Sequence, residues 1–290
     1  MSNNESAPQW FVDALEAPVE TGKVEVEGAS IAYRAWGESG RHGVVLVHGG
    51  MAHSGWWDHI GPQLALGRRV VALDLSGHGD SDHRDHYTLD AWAEEAITAA
   101  EAGGISGPPV LIGHSMGGIV SFAASSLHGD RLAGVAIIDS PIRDMTPEEL
   151  ELRAKAVANA GPPKVYPSVE SAVARFRLVP PQADAEPYVL EHIARGALKQ
   201  VEGGWSWKFD NLRMGREGRR SLEVMNPGCA VAYFRCENGI IDDALFERIA
   251  GQLGPDALLV TLPASGHHPM IDQPLAVVAA VRTLLGAWGR

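Results

Sequence analysis

Ser115 stands between glycines in Val110-Leu-Ile-Gly-His-Ser-Met-Gly-Gly118. An apolar run enters Gly113-His-Ser-Met-Gly117, and a second run of mostly small and apolar residues, Ile119 to Leu127, leaves it. The pattern predicts a short buried strand, a turn of one serine and a helix. In this nucleophile elbow the glycines let strand and helix approach, and the serine hydroxyl stands exposed on a strained tip. A serine hydroxyl is a weak nucleophile and needs a base to take its proton and a third group to orient that base. The base is most often histidine, whose pKa lies near neutrality. Of 12 histidines, only His267 and His268 fall in a loop after the last predicted strand and before the last predicted helix, at the sheet edge facing the elbow. His267, directly after Gly266, is the favoured base; the other reading of the pair makes His268, beside Pro269, the base and not a loop residue. His48, His78 and His114 neighbour glycines in turns and read as loop scaffolding.

The elements that must hold these residues follow from apolar patterning. Lys23 to Glu27 and Ser30 to Trp36 alternate around Gly28, which predicts an antiparallel hairpin. Val44-Val-Leu-Val47 and Arg69-Val-Val-Ala-Leu-Asp74 are almost unbroken apolar, as strands buried on both faces are. Helical spacing is expected from Trp56 to Leu66 and, capped by Thr88, from Leu89 to about Ala102, where Gly103-Gly104 stops it. Leu132-Ala-Gly-Val-Ala-Ile-Ile-Asp139 is the strand after the elbow helix. Strands alternating with helices in this way mean α/β class: a mostly parallel central sheet with helices on both faces. In such sheets ligands sit at the carboxyl ends of the strands, where Gly50, Ser115 and Asp139 all fall. A Gly-x-Ser-x-Gly match alone arises by chance in a chain with 33 glycines; the shared position says more than the motif.

From Ser140 to about Pro227 the character changes. Prolines cluster at Pro162-Pro163 and Pro180-Pro181, charged helical segments run from Glu148 to Ala158 and from Pro187 to Lys199, and no buried-strand run occurs. Residues 141–227 are expected to be an inserted helical cap over the strand ends, residues 21–140 and 228–290 the core, and residues 1–20 a flexible tail. Trp205 and Trp207 crowd one cap segment and serve either cap packing or, with Met51, a substrate-pocket wall. The sheet resumes with Ala230 to Arg235, a helix from about Asp243 to Leu253, the strand Ala257 to Leu262 and a last helix from about Gln273 to Trp288.

The totals limit the function classes. The chain has 290 residues, 45% hydrophobic and 21% charged, an ordinary globular composition for one large domain or a domain with an insertion. Net charge is −12, which argues against nucleic acid or an anionic membrane as partner. No stretch approaches the length of a membrane span, and the polar N-terminus lacks the regions of a secretion signal, so a cytoplasmic protein is expected. Cys229 and Cys236 lie in or beside one predicted strand and read as small buried residues, not a bridge. Histidine and cysteine spacing shows no zinc cluster, and no phosphate-binding glycine loop occurs, so neither metal nor cofactor is expected. The partner is a small-molecule substrate; oligomeric state is not legible.

The chain resembles the α/β-hydrolase superfamily over nearly its whole length. The matching pieces are His48-Gly49-Gly50 after the third strand, Asp74 with Gly77-His-Gly-Asp-Ser81, Gly113-His-Ser-Met-Gly117, and Gly266-His267 near the end. The resemblance implies Ser115 as nucleophile and His267 as base. It also implies an oxyanion hole from the backbone N–H of Met116 and of Gly50, with Met51 as the alternative to Gly50; such a donor supplies about 3 kcal/mol to the transition state. The acid departs from the commoner family pattern. The turn that usually carries it reads Arg235-Cys-Glu-Asn-Gly-Ile240 here, with Gly239 and Ile240 at the expected positions. The family's second solution puts the acid after the elbow helix, at the end of the next strand, and that is Asp139. Glu237 and then Asp242 are the alternatives. The expected activity is cleavage of a carboxylic ester through an acyl-enzyme. Lactones, thioesters and carbon–carbon bonds of diketones are alternatives served by the same machinery, and a non-catalytic receptor on the same fold is the reading from a different class.

Overall fold

The computed structural model describes residues 7–159, 161–210 and 221–290. Helix α1 (Gln9–Glu16) leads into the hairpin β1 (Glu20–Val26) and β2 (Ala29–Trp36). The hairpin turn has Glu27 at φ 46° and Gly28 at φ 77°. Both are left-handed, the geometry whose twist matches that of the flanking strands. Then come β3 (Gly43–Val47), α2 (Gly61–Leu64), β4 (Arg69–Leu73), α3 (Leu89–Ala102), β5 (Val110–His114), α4 (Met116–His128) and β6 (Gly134–Ile138). The segment expected to be the cap, residues 141–227, holds α5 (Pro147–Ala158), α6 (Val169–Val173), α7 (Pro187–Gly196) and the strands β7 (Leu198–Val201) and β8 (Gly204–Trp207) among its described residues. The core closes with β9 (Val231–Asn238), α8 (Asp243–Leu253), β10 (Leu258–Gly266), α9 (Pro269–Asp272) and α10 (Pro274–Ala287).

The central sheet is 8-stranded in the order β1-β2-β4-β3-β5-β6-β9-β10. Pairing is antiparallel through β1, β2 and β4 and parallel from β4 onward. β3, β4, β5 and β6 are buried at every residue, which is why their sequences are unbroken apolar runs. Alternate residues feed opposite faces, as the period of two requires. Val45, Val47, Val71, Leu73, Leu111, Val135 and Ile137 pack under α3, α4 and α8 with Ile97, Phe122 and Ile249. Val44, Leu46, Val70, Ala72, Ile112, Ala136 and Ile138 pack on the other face with Phe11, Leu64, Val281 and Leu285 from α1, α2 and α10. Among the described residues no helix is long and apolar enough to cross a membrane.

Three expectations need correction. The loose tail expected for residues 1–20 holds α1, which buries Phe11 and Ala14, and the start of β1; residues 1–6 lie outside the described residues. The single helix expected from Trp56 to Leu66 is a 3₁₀ turn at Ser54–Trp57 and the short α2, with Pro62 near its first position, because proline has no N–H to continue a helix that enters from the preceding turn. The cap is not wholly helical: β7 and β8 form an antiparallel hairpin with Trp205 and Trp207 on it. Residues 211–220 of the expected cap lie outside the described residues.

Candidate active site

Three strand ends and one loop converge. β5 delivers Ser115 at φ 53°, ψ −117°, between the strand and α4. A Cβ on Gly113 would overlap the Gly117 carbonyl, and one on Gly117 would overlap the Val47 carbonyl; only glycine lets α4 lie this close to β3 and β5. The Ser115 N–H donates to the Ile138 carbonyl at 3.0 Å, and its own carbonyl accepts from Gly118 N–H at 3.0 Å, starting α4. The strained tip is thereby held from both sides, with the side chain partly exposed.

Asp139 follows β6 with φ 44° and is fully buried. Its Oδ1 accepts from Cys236 N–H at 3.1 Å and its Oδ2 from Ile240 N–H at 3.0 Å. The same Oδ2 lies 2.8 Å from His267 Nδ1. A carboxylate accepts, so Nδ1 carries the proton, and the lone pair of Nε2 faces the Ser115 hydroxyl at 3.1 Å. Tyr233 on β9 fixes the turn after Asp139: its hydroxyl donates to the Ser140 carbonyl at 2.7 Å and accepts from Ser140 N–H at 3.1 Å. Burial pushes the Tyr233 phenol up, so it stays protonated for that role.

The His267 loop is clamped from outside. Gln182 of the cap accepts from His268 N–H at 2.9 Å and donates to the His268 carbonyl at 3.3 Å. Asp272 accepts from Gly266 N–H at 2.6 Å. His114 donates from Nε2 to the His267 carbonyl at 2.7 Å, and its ring lies 4.9 Å from that of His267. Burial drives His114 well below the ordinary histidine range, so its ring stays neutral beside the base.

Gly50 lies beside Met116: a Cβ on Gly50 would stand 3.9 Å from the Met116 Sδ. His48 shapes this loop by donating from Nδ1 to the Gly49 carbonyl at 2.7 Å and accepting Leu75 N–H at Nε2, 3.1 Å away. Burial lowers His48 and holds it neutral, as this double role needs. Met51 is 44% exposed at φ 59°, a strained position for a non-glycine residue next to the loop.

The structure therefore brings Ser115, Asp139 and His267 together and sets Gly50 beside Met116, the residue after Ser115. The alternative acids are occupied elsewhere. Glu237 accepts from Ala264 N–H at 2.7 Å in an exposed setting, and Asp242 caps α8 by accepting from Leu245 N–H at 2.8 Å. Trp207 packs on Tyr166 and Phe176, and the Trp205 backbone pairs with that of Tyr166; these contacts lie within the cap. A cleft of about 610 Å³ lined by Ile240, Asp242, Leu245, Arg143 and Arg248 opens next to the turn that holds Asp139.

One group of possible metal ligands assembles among the described residues: His114, His267 and His268, with ligating atoms within 4.8 Å of one another. The separation of residue 114 from 267 and 268 hides it from any spacing rule. Both ring nitrogens of His267 face other partners, Asp139 and Ser115, and His114 Nε2 is committed to a carbonyl, so His267 offers the trio no free ring nitrogen. Tyr233 and Gln182 carry no signal in the sequence because each acts on the site through hydrogen bonds to main-chain groups.

Comparison with known proteins agrees with this architecture. The chain is 27% identical over 266 residues to Lipase LipV of Mycobacterium tuberculosis, covering 87% of this chain and 96% of that protein. It superposes on a thermophilic esterase from Thermogutta terrifontis with a TM-score of 0.71 and 25% identity, over 93% of this chain and 99% of that one. A thioesterase domain from the curacin biosynthetic pathway shares the fold, with a TM-score of 0.75 at 19% identity, over 91% of this chain and 99% of that one. These matches support a hydrolase. Residues 44–281 match the model of the Alpha/beta hydrolase family, and the chain belongs to that family.

Proposed function

We propose that the protein is a serine hydrolase that cleaves a carboxylic ester of a small molecule through a covalent acyl-enzyme. The observation that carries the reading is the continuous line Ser115 Oγ to His267 Nε2 at 3.1 Å and His267 Nδ1 to Asp139 Oδ2 at 2.8 Å. Ser115 Oγ attacks the ester carbonyl while His267 Nε2 takes its proton. The N–H groups of Gly50 and Met116 receive the oxyanion, and a donor of this kind is worth about 3 kcal/mol in the transition state. As the carbon–oxygen bond breaks, the imidazolium returns the proton to the alkoxide leaving group. Water then repeats the sequence on the acyl-enzyme, with His267 as base again and Ser115 as leaving group. Asp139 fixes the tautomer throughout and stabilises the imidazolium, without taking the proton itself.

A fluorophosphonate probe tests the reading. Labelling should map to Ser115 in the wild type and vanish in Ser115→Ala, together with hydrolysis of p-nitrophenyl acetate. Full turnover by that variant would defeat the proposal.

A further inference from the structure

The stretch from Cys236 to Ile240 has no acid at 239 or 240, where the commoner pattern would place one, yet it is shaped around the Asp139 carboxylate. Two N–H groups, from Cys236 in β9 and Ile240 just after it, converge on the two carboxylate oxygens of Asp139 at the end of the neighbouring strand β6. Between them stands Gly239, whose N–H donates to the Cys236 carbonyl at 3.1 Å. A Cβ built on Gly239 would fall within 2.6 Å of Cγ and of both carboxylate oxygens of Asp139. Gly239 is not among the residues with left-handed φ, so its backbone accepts any side chain. Space alone forbids one, and the space is taken by the Asp139 carboxylate.

This differs from the elbow glycines. At Gly113 and Gly117 a Cβ would strike backbone carbonyls, so the fold itself is at stake. At Gly239 it would strike the tip of a side chain, which can turn away. Turning away breaks both N–H contacts and the 2.8 Å line to His267 Nδ1. The cost then falls on the orientation of His267, where a misplacement on the order of 1 Å is enough to lower a rate a hundredfold.

We propose that Gly239 is a positioning residue: with the N–H groups of Cys236 and Ile240 it forms a main-chain cradle that aims the Asp139 carboxylate at His267. The inference rests on Asp139 being the acid. It makes the missing side chain at 239 a requirement of the acid's location on β6.

The test is a double-mutant cycle on the full-length protein, with Gly239→Ala, Asp139→Gly and the double variant assayed on p-nitrophenyl acetate and by thermal melting. Asp139→Gly is chosen because φ 44° suits glycine. Gly239→Ala should lower kcat about tenfold to a hundredfold with KM little changed. In the Asp139→Gly background the same substitution should lower neither the residual rate nor the Tm, because the group it collides with is gone. If Gly239→Ala alone fails to fold, the double variant should fold. Wild-type kcat in Gly239→Ala, an equal loss in both backgrounds, or an unfolded double variant overturns the proposal while leaving the acid assignment intact. Wild-type turnover in Asp139→Gly removes the acid assignment and this inference with it.

Discussion

The Asp139 carboxylate and the His267 imidazole meet at 2.8 Å although 128 positions separate them in the chain, and neither is exposed to solvent. A carboxylate this deep is tolerated only with partners, and Asp139 has two N–H donors besides the imidazole. Asp139→Asn should therefore lower kcat by on the order of 10⁴ while leaving the fold intact, because the amide no longer enforces the Nδ1–H tautomer. Glu237→Gln, whose side chain holds only Ala264 N–H in an exposed position, should retain near-wild-type turnover. Steady-state kinetics on one activated ester decides the pair; the reverse ranking would move the acid to Glu237.

Glycine substitutions should split by what a Cβ would meet. Gly117→Ala drives its methyl into the Val47 carbonyl and should abolish activity with a large loss of Tm, since backbone must move. Gly251 lies in α8 with nothing within 4 Å of a Cβ. Gly251→Ala should raise stability by up to about 1 kcal/mol through helix propensity and leave turnover unchanged. Denaturant titration of both variants checks the contrast, and equal effects would contradict it.

Acid should destabilise the fold well before carboxylates titrate. Burial holds His53 and His59 down at about 4, and His78 and His268 at about 3, against the ordinary 6.5. Below pH 6.5 the unfolded chain takes up protons that these folded rings refuse, so stability falls with pH. The slope is on the order of 1.4 kcal/mol per pH unit for each ring. Glu95 and Asp272, raised by burial, work in the opposite sense, but they are two groups against four rings. Melting curves between pH 6.5 and 5 should show a falling Tm, and His59→Gln should flatten the decline. A Tm that holds steady or rises on acidification would refute the account.

The N-terminal helix should prove structural. Phe11 is buried, with its ring 4.8 Å from Tyr188 of cap helix α7 and 5.5 Å from His59 of the core. Phe11→Ala should cost about 3 kcal/mol, read from urea unfolding, and a neutral result would mean that α1 does not bind cap to core.

What could be read from sequence follows from how strongly each feature is local. The strands β3 to β6 were legible because burial on both faces demands unbroken apolar runs, and the elbow because close strand–helix approach demands glycine at 113 and 117. Asp139 stands out in the sequence by its place at the end of the strand after the elbow helix and by the emptiness of the turn at Gly239 and Ile240. Helix α1 was not, since eight residues with Phe11 and Ala14 buried draw their stability from tertiary packing and not from propensity. Strands β7 and β8 hide for the same reason: they are four residues each, paired with one another and, through Trp205, with Tyr166.

Between Leu262↔Cys236 and Gly266↔Asn238 the last strand carries two residues more than its neighbour, with Ala264 at φ 52° in that interval. Side-chain direction along extended backbone reverses at every residue. Losing one codon there would swing the imidazole to the wrong side of the sheet, whereas small unbranched substitutions at exposed Ala264 would leave it in place. Libraries that sample single-residue deletions at the exposed positions 263 and 264 should thus recover folded, silent clones where small substitutions are tolerated.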